Sequence, residues 1–242
     1  MLDGGVAFFY PPVCQLCHDF RADGSDGYVC SGCLSAPGAL RPIETGYCSR
    51  CGLPFEGSVG DSFACTNCRD LDLGFDWARA SLVATPFVLD LVHRYKYRGG
   101  YWLEPLLARL FIGQAVRELR AADWDWVMPV PLHPVRERER GFNQARQLAA
   151  ALSGALGIGL NDRVLERVRH TETQTALNRE QRRGNMSSAF RVRPGARFLD
   201  RGGRVLLVDD ILTTGATTGA CARVLKQAGA ERACVWTLAR GN

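Results

Sequence analysis

Val205-Leu206-Leu207-Val208-Asp209-Asp210-Ile211-Leu212-Thr213-Thr214-Gly215-Ala216-Thr217 is the stretch that decides the fold. Its first four residues are apolar without alternation, the pattern of a strand buried on both faces of a parallel sheet. Two adjacent carboxylates stand where that strand is expected to end. A Thr/Gly-rich loop follows, and residues 218–226 read as a helix. Open α/β sheets bind ligands at the carboxyl ends of their strands, and a helix N-terminus offers free backbone N–H groups to an anion. The paired acids repel phosphate but accept hydrogen bonds from sugar hydroxyls, or hold a divalent cation. Loop and acids together point to a ribose 5-phosphate. Two rival readings fail. A Walker B strand needs a GxxxxGK[ST] partner, and neither Lys96 nor Lys226 stands in one. The Gly154/Gly157/Gly159 cluster follows no strand, so it is not a dinucleotide fingerprint.

This motif resembles the phosphoribosyl-diphosphate signature of type I phosphoribosyltransferases. The resemblance implies that Asp209 and Asp210 face the ribose 2′- and 3′-hydroxyls. It implies that Thr213, Thr214, Gly215, Ala216 and Thr217 wrap the 5′-phosphate, with Mg²⁺ accompanying the diphosphate if the site catalyses.

Eight of the ten cysteines form four CxxC pairs: Cys14/Cys17, Cys30/Cys33, Cys48/Cys51 and Cys65/Cys68. Each CxxC turn sets two thiolates on one side of a tight loop, and two turns complete a tetrahedral Zn²⁺ shell. The spacing favours two sequential ribbons over a cross-braced arrangement. Closed tetrathiolate sites are structural, so the two zinc ions are expected to fold this segment rather than catalyse. His18 is expected to be an ordinary exposed residue, and Cys221 and Cys234 to be small buried apolar ones.

After Asp70 the composition changes, which sets the expected division: residues 1–70 as a double zinc ribbon and 71–242 as an α/β domain. Residues 77–85, 127–131, 163–168, 205–208 and 233–238 read as strands. Helices are expected over residues 88–98, along the Leu103/Leu106/Leu107/Leu110/Phe111/Val116/Leu119 face, and along the Phe142/Ala145/Leu148/Ala149/Leu152/Leu156 face. Strands alternating with helices predict a parallel sheet. The turn over residues 132–144 is expected beside Asp209 and Asp210, with Arg136, Arg138 and Arg140 contacting diphosphate. His133 reads as a supporting polar residue, not a base. Residues 169–189 are polar, either a lid whose Arg179, Arg182 and Arg183 reach a leaving diphosphate or a solvated helix.

Net charge is +5, too mild to imply nucleic acid by itself. Residues 131–200 carry thirteen Arg against seven acids, a net of +6, so the positive field concentrates there. That suits sugar phosphates and a nucleic-acid backbone equally. No segment is long enough to span a bilayer, and residues 1–10 lack the basic start of a signal peptide. A cytoplasmic protein with reduced cysteines is expected.

The double ribbon, LVHRYKYRGG (residues 91–100), PVPLHPVRERERGFNQA (129–145), TETQTALNREQRRGNMSSAF (171–190) and VLLVDDILTTGAT (205–217) occur together in this order. The whole chain resembles the ComF family of competence proteins, also close to GntX. That resemblance implies a phosphoribosyltransferase-like domain serving DNA uptake, binding to single-stranded DNA and a helicase partner. It fixes architecture better than reaction. A catalytic phosphoribosyltransferase of the uptake machinery, a non-catalytic DNA or nucleotide binding module and a nucleotide-salvage enzyme all stay open. The third lacks a recognisable base pocket.

Overall fold

The computed structural model describes residues 12–55, 57, 60, 62–69, 72–169, 188–196, 198 and 203–241 of the 242. Five parallel strands form the central sheet: β1 (Ala78–Val83), β2 (Trp126–Pro129), β3 (Gly159–Leu160), β6 (Arg204–Leu212) and β7 (Arg232–Arg240), in the order β1-β7-β6-β2-β3. Strands β6 and β7 are buried almost throughout, as unbroken apolar runs require. The remaining pair, β4 (Leu165–Arg167) and β5 (Phe190–Val192), makes a separate antiparallel ribbon. Residues 163–168 were expected to read into the parallel sheet. They leave it because their partner is the segment returning from the polar insert, a long-range pairing that local pattern does not carry.

Helices α1 (Pro86–Tyr97), α2 (Glu104–Glu118) and α4 (Gln144–Leu156) cover one face of the sheet. Helix α5 (Ala216–Gln227) and the β4/β5 ribbon cover the other. Thr85 caps α1 by accepting the Val88 N–H at 3.2 Å, Pro86 opens its first turn, and Val88, Leu91, Val92 and Tyr95 give the buried stripe. In α2 the buried face is Leu106, Leu107, Phe111 and Ala115. Val116, expected on that face, is exposed because Ala115 takes the stripe position.

The two ribbons lie on opposite faces. The first leans on α2, where Arg109 Nη1 meets Asp26 Oδ1 at 2.6 Å and a Cβ on Gly27 would lie 2.8 Å from that of Leu106. The second joins the α5 side, its four cysteines sharing one core with Leu73, Phe75, Leu207 and Cys221. Residues between them run antiparallel along β1: Ile43 N–H donates to Ser81 O at 3.1 Å and Val83 N–H to Arg41 O at 2.8 Å. That segment covers the sheet's open edge. No helix among the described residues is long and apolar enough to cross a membrane.

Candidate functional site

Strand β6 outruns β2. The last β2 rung is Pro129↔Val208, whereas β6 still pairs with β7 at Asp209↔Thr237, Ile211↔Ala239 and Leu212↔Arg240. Asp209 and Asp210 therefore do not end the strand, as expected from sequence. They mark where it loses one neighbour. Strand order also reverses between β2 and β6, which opens the crevice that α/β sheets use for ligands.

Beyond β6, Gly215 takes φ 74° and starts α5 with no side chain to cap it. A shallow cavity of about 50 Å³ sits here, lined by Asp209, Ile211 and residues 212–218. Backbone N–H groups of a first helical turn and four threonines surround a space fit for an anion.

The acids differ. Asp210 is 4% exposed. Its Oδ2 pairs with Lys96 Nζ, and its Oδ1 accepts from Gln144 Nε2 at 3.0 Å. Gln144 Oε1 in turn accepts from Arg140 Nη1. Burial disfavours the Asp210 charge, but Lys96 outweighs it and holds the carboxyl below its ordinary range. Burial and the neighbouring Asp210 charge push Asp209 well above that range. The pair thus favours a single negative charge, carried by Asp210. The last turn of α1 delivers Lys96 onto β6 and helps to cover Asp210.

A second cavity of about 430 Å³ opens beside Lys96, walled by Tyr97, Tyr101, Arg136, Glu139 and Arg140. Tyr97 and Tyr101 are 62% and 56% exposed. The Arg140 guanidinium stands 4.9 Å from the Tyr97 ring centre. Tyr95 instead is buried and donates to Glu104 Oε2 at 2.8 Å. The expected turn over 132–144 is largely a helix, α3 (Pro134–Arg140). His133 Nδ1 caps it by accepting the Val135 N–H at 3.3 Å, and Gly141 at φ 83° ends it. Helical spacing sends Arg136 and Arg140 to one side and Arg138 to the other, exposed and outside this cavity. Arg179, Arg182 and Arg183 lie outside the described residues.

Sequence reading missed Lys96, Gln144 and Arg167. Arg167 on β4 packs over Phe190 at 5.4 Å and lies within electrostatic range of Arg136 and Asp209. Lys96 did carry a signal, as one of two lysines in an arginine-rich chain.

Cys14, Cys17, Cys30 and Cys33 converge in one tetrad, and Cys48, Cys51, Cys65 and Cys68 in another, each with its sulfurs within 4.8 Å of one another. Sulfur pairs such as Cys14/Cys33 at 3.8 Å, Cys17/Cys30 at 3.7 Å and Cys51/Cys65 at 3.8 Å match the roughly 3.8 Å edge of a tetrahedron with Zn–S bonds of about 2.3 Å. Backbone N–H groups already point at the sulfurs: Cys30 N to Cys14 Sγ and Cys65 N to Cys48 Sγ, both at 3.3 Å. Burial opposes ionisation of Cys14, but the N–H groups of Cys17, Cys30 and Leu16 outweigh it and bring the thiol to about 6. Both tetrads are zinc-binding sites, each built from sequential CxxC pairs. His18 is exposed, and Cys221 and Cys234 are buried, as expected.

Fold and site define the class: a parallel-sheet phosphoribosyltransferase domain carrying an N-terminal double zinc ribbon. Family models agree, with a double zinc ribbon domain matching residues 5–69 and a phosphoribosyl transferase domain matching residues 138–242. Competence protein F of Haemophilus influenzae is 32% identical, covering 86% of this chain and 96% of that one. DNA utilization protein YhgH of Salmonella typhimurium is 32% identical over 95% of this chain and 97% of its own. Among solved structures, the glutamine phosphoribosylpyrophosphate amidotransferase of B. subtilis is 21% identical, covers 60% of this chain and 30% of that one, and superposes with a TM-score of 0.39. The chain belongs to the ComF family of competence protein F and YhgH.

Proposed function

We propose that this is a cytoplasmic protein of the DNA-uptake machinery that binds phosphoribosyl diphosphate or a closely related sugar phosphate. The observation that carries the ligand is the cavity shared by Asp209 and residues 212–218, at the helix N-terminus where strand order reverses. Asp209 faces the ribose hydroxyls, and the amides and hydroxyls of Thr213, Thr214, Gly215, Ala216 and Thr217 hold the 5′-phosphate. Asp210 acts through Lys96 and Gln144, fixing the cations that reach the diphosphate side. Arg136 and Arg140 supply charge there. Mg²⁺, when bound with the ligand, would neutralise diphosphate charge. Where an acceptor is present, these residues favour displacement at C1′ by position and electrostatics alone. The division at residues 70 and 71 separates the zinc-folded unit from this ligand-binding one.

A second reading, single-stranded DNA binding, is favoured by the exposed Tyr97 and Tyr101 beside Arg136 and Arg140. Stacking platforms flanked by cations suit unpaired bases. Isothermal titration with phosphoribosyl diphosphate plus Mg²⁺, and separately with short single-stranded DNA, tests both. Heat from the sugar phosphate that disappears in Asp209→Asn supports the first reading. Heat from DNA alone replaces it with the second.

A further inference from the structure

The second zinc tetrad touches the phosphate loop through one side chain. Arg240, the last residue of β7, is 4% exposed. Its Nε donates to Cys51 O at 2.9 Å and its Nη2 to Cys51 Sγ at 3.5 Å. Its Nη1 donates to Leu212 O at 3.1 Å, and Leu212 is the residue before Thr213. The next residue, Gly241, adds its own N–H to Leu212 O at 2.8 Å.

A buried guanidinium needs a counter-charge. No carboxylate pairs with Arg240 among the described residues. A zinc-loaded tetrathiolate is a net anion, and Cys51 Sγ presents it to the Arg240 guanidinium at 3.5 Å. The planar fork then fixes Cys51 and Leu212 relative to each other.

The chain leaving the second ribbon braces the loop from another side. A Cβ on Gly215 would lie 3.2 Å from the Phe75 ring, and one on Gly219 would lie 2.2 Å from Leu73 O. Among the described residues the first tetrad has no such route. Its cysteines cluster with Ala22 and Leu16 and lean on α2, across the sheet.

We propose that Arg240 is a positioning residue through which the second zinc centre, and not the first, holds the phosphate loop in its binding conformation. The inference rests on the reading of residues 213–217 as the sugar-phosphate site. Zinc loss at the second tetrad then weakens ligand binding, while the first tetrad is neutral to it.

Three measurements test the link. In Arg240→Met, affinity for phosphoribosyl diphosphate with Mg²⁺ falls about 10-fold while both zinc ions stay bound. Arg240→Lys, which keeps the charge but not the fork, recovers part of it. Coupling is reciprocal. In the Cys14→Ser/Cys17→Ser protein, whose remaining zinc occupies the second tetrad, phosphoribosyl diphosphate therefore raises the chelator concentration that removes half of that zinc at equilibrium, and Arg240→Met cancels the rise. Amide exchange at residues 213–218, measured without ligand, quickens when that zinc is removed and in Arg240→Met. Unchanged exchange and unchanged affinity in Arg240→Met overturn the proposal. If Arg240→Met does not fold, a ligand that leaves that chelator concentration unaltered in the Cys14→Ser/Cys17→Ser protein overturns it instead. If that protein, otherwise folded, binds no sugar phosphate, the binding-site reading fails, and ligand-free exchange still decides whether zinc braces the loop.

Discussion

Lys96 and Asp210 form a buried ion pair between the end of α1 and the middle of the ligand crevice. Breaking such a pair from one side leaves a lone buried charge, which costs about 3 kcal/mol. Lys96→Met and Asp210→Asn should each lower stability by about that much in urea titration. The double variant should lose clearly less than the sum, since neither charge is then stranded. Additive losses would show that the two side chains do not act as a pair.

Asp209 should behave in the opposite sense. Burial and the Asp210 charge raise its folded pKa, so its effect on stability is favourable at low pH and is lost as pH rises through the raised value. Asp210 is depressed by Lys96, so its contribution is present above the ordinary carboxylate range and lost as pH falls through the lowered value. Asp209→Asn should therefore leave neutral-pH stability intact or raise it, and flatten the fall of stability above the ordinary carboxylate pKa. It should also abolish binding of phosphoribosyl diphosphate. A thermal-melt series across pH, with titration of the ligand at pH 7.0, separates the two acids. Matching pH profiles for the two Asn variants would refute this asymmetry.

Much of this arrangement was legible in the chain. The apolar run 205–208, the CxxC spacing and the helical stripes of α1 and α4 are local patterns, and local patterns survive folding when tertiary contacts agree with them. What escaped reading depends on partners far away in sequence. Strand β6 continues to Leu212 because β7 continues beside it, and no local feature of Asp209-Asp210-Ile211 announces that. Arg136, Arg138 and Arg140 looked like one cluster in a turn. The caps at His133 and Gly141 make that segment a helix and split the three. Gly215 also answers to a distant partner. In the structure, the space that a side chain there would enter holds the Phe75 ring.

Glycines inside two helices give a controlled comparison. Gly154 in α4 is exposed with nothing within 4 Å of a built Cβ. Gly154→Ala should stabilise by about 0.5–1 kcal/mol through helix propensity. Gly219 in α5 gains the same propensity, but its Cβ would stand 2.2 Å from Leu73 O, a backbone atom. Gly219→Ala should destabilise by more than about 1 kcal/mol and separate the linker from the first turn of α5. Chemical denaturation of both variants reads the sign directly. Stabilisation by Gly219→Ala would mean that the close crossing at Leu73 does not exist in solution.

Helix α3 makes the DNA reading quantitative. Arg136 and Arg140 wall the cavity that holds Tyr97 and Tyr101, and Arg138 points elsewhere. If unpaired DNA lies in that cavity, its phosphates meet the first two arginines and its bases stack on the tyrosines. Each single-strand phosphate contact removed should make the log–log salt slope shallower by about 0.7. Arg136→Ala with Arg140→Ala should thus shift the slope by about 1.4, while Arg138→Ala shifts it little. Tyr97→Ala with Tyr101→Ala should weaken binding at every salt concentration without altering the slope, because stacking releases no counterions. Arg140 also donates to Gln144, so its loss should additionally disturb Asp210 and the sugar-phosphate affinity. Arg138→Ala is the clean control for general surface charge. Fluorescence anisotropy with a short labelled strand, from low to physiological salt, distinguishes these outcomes. Equal slope changes from Arg138 and from Arg136 would place DNA on the outer surface of α3 rather than in the cavity.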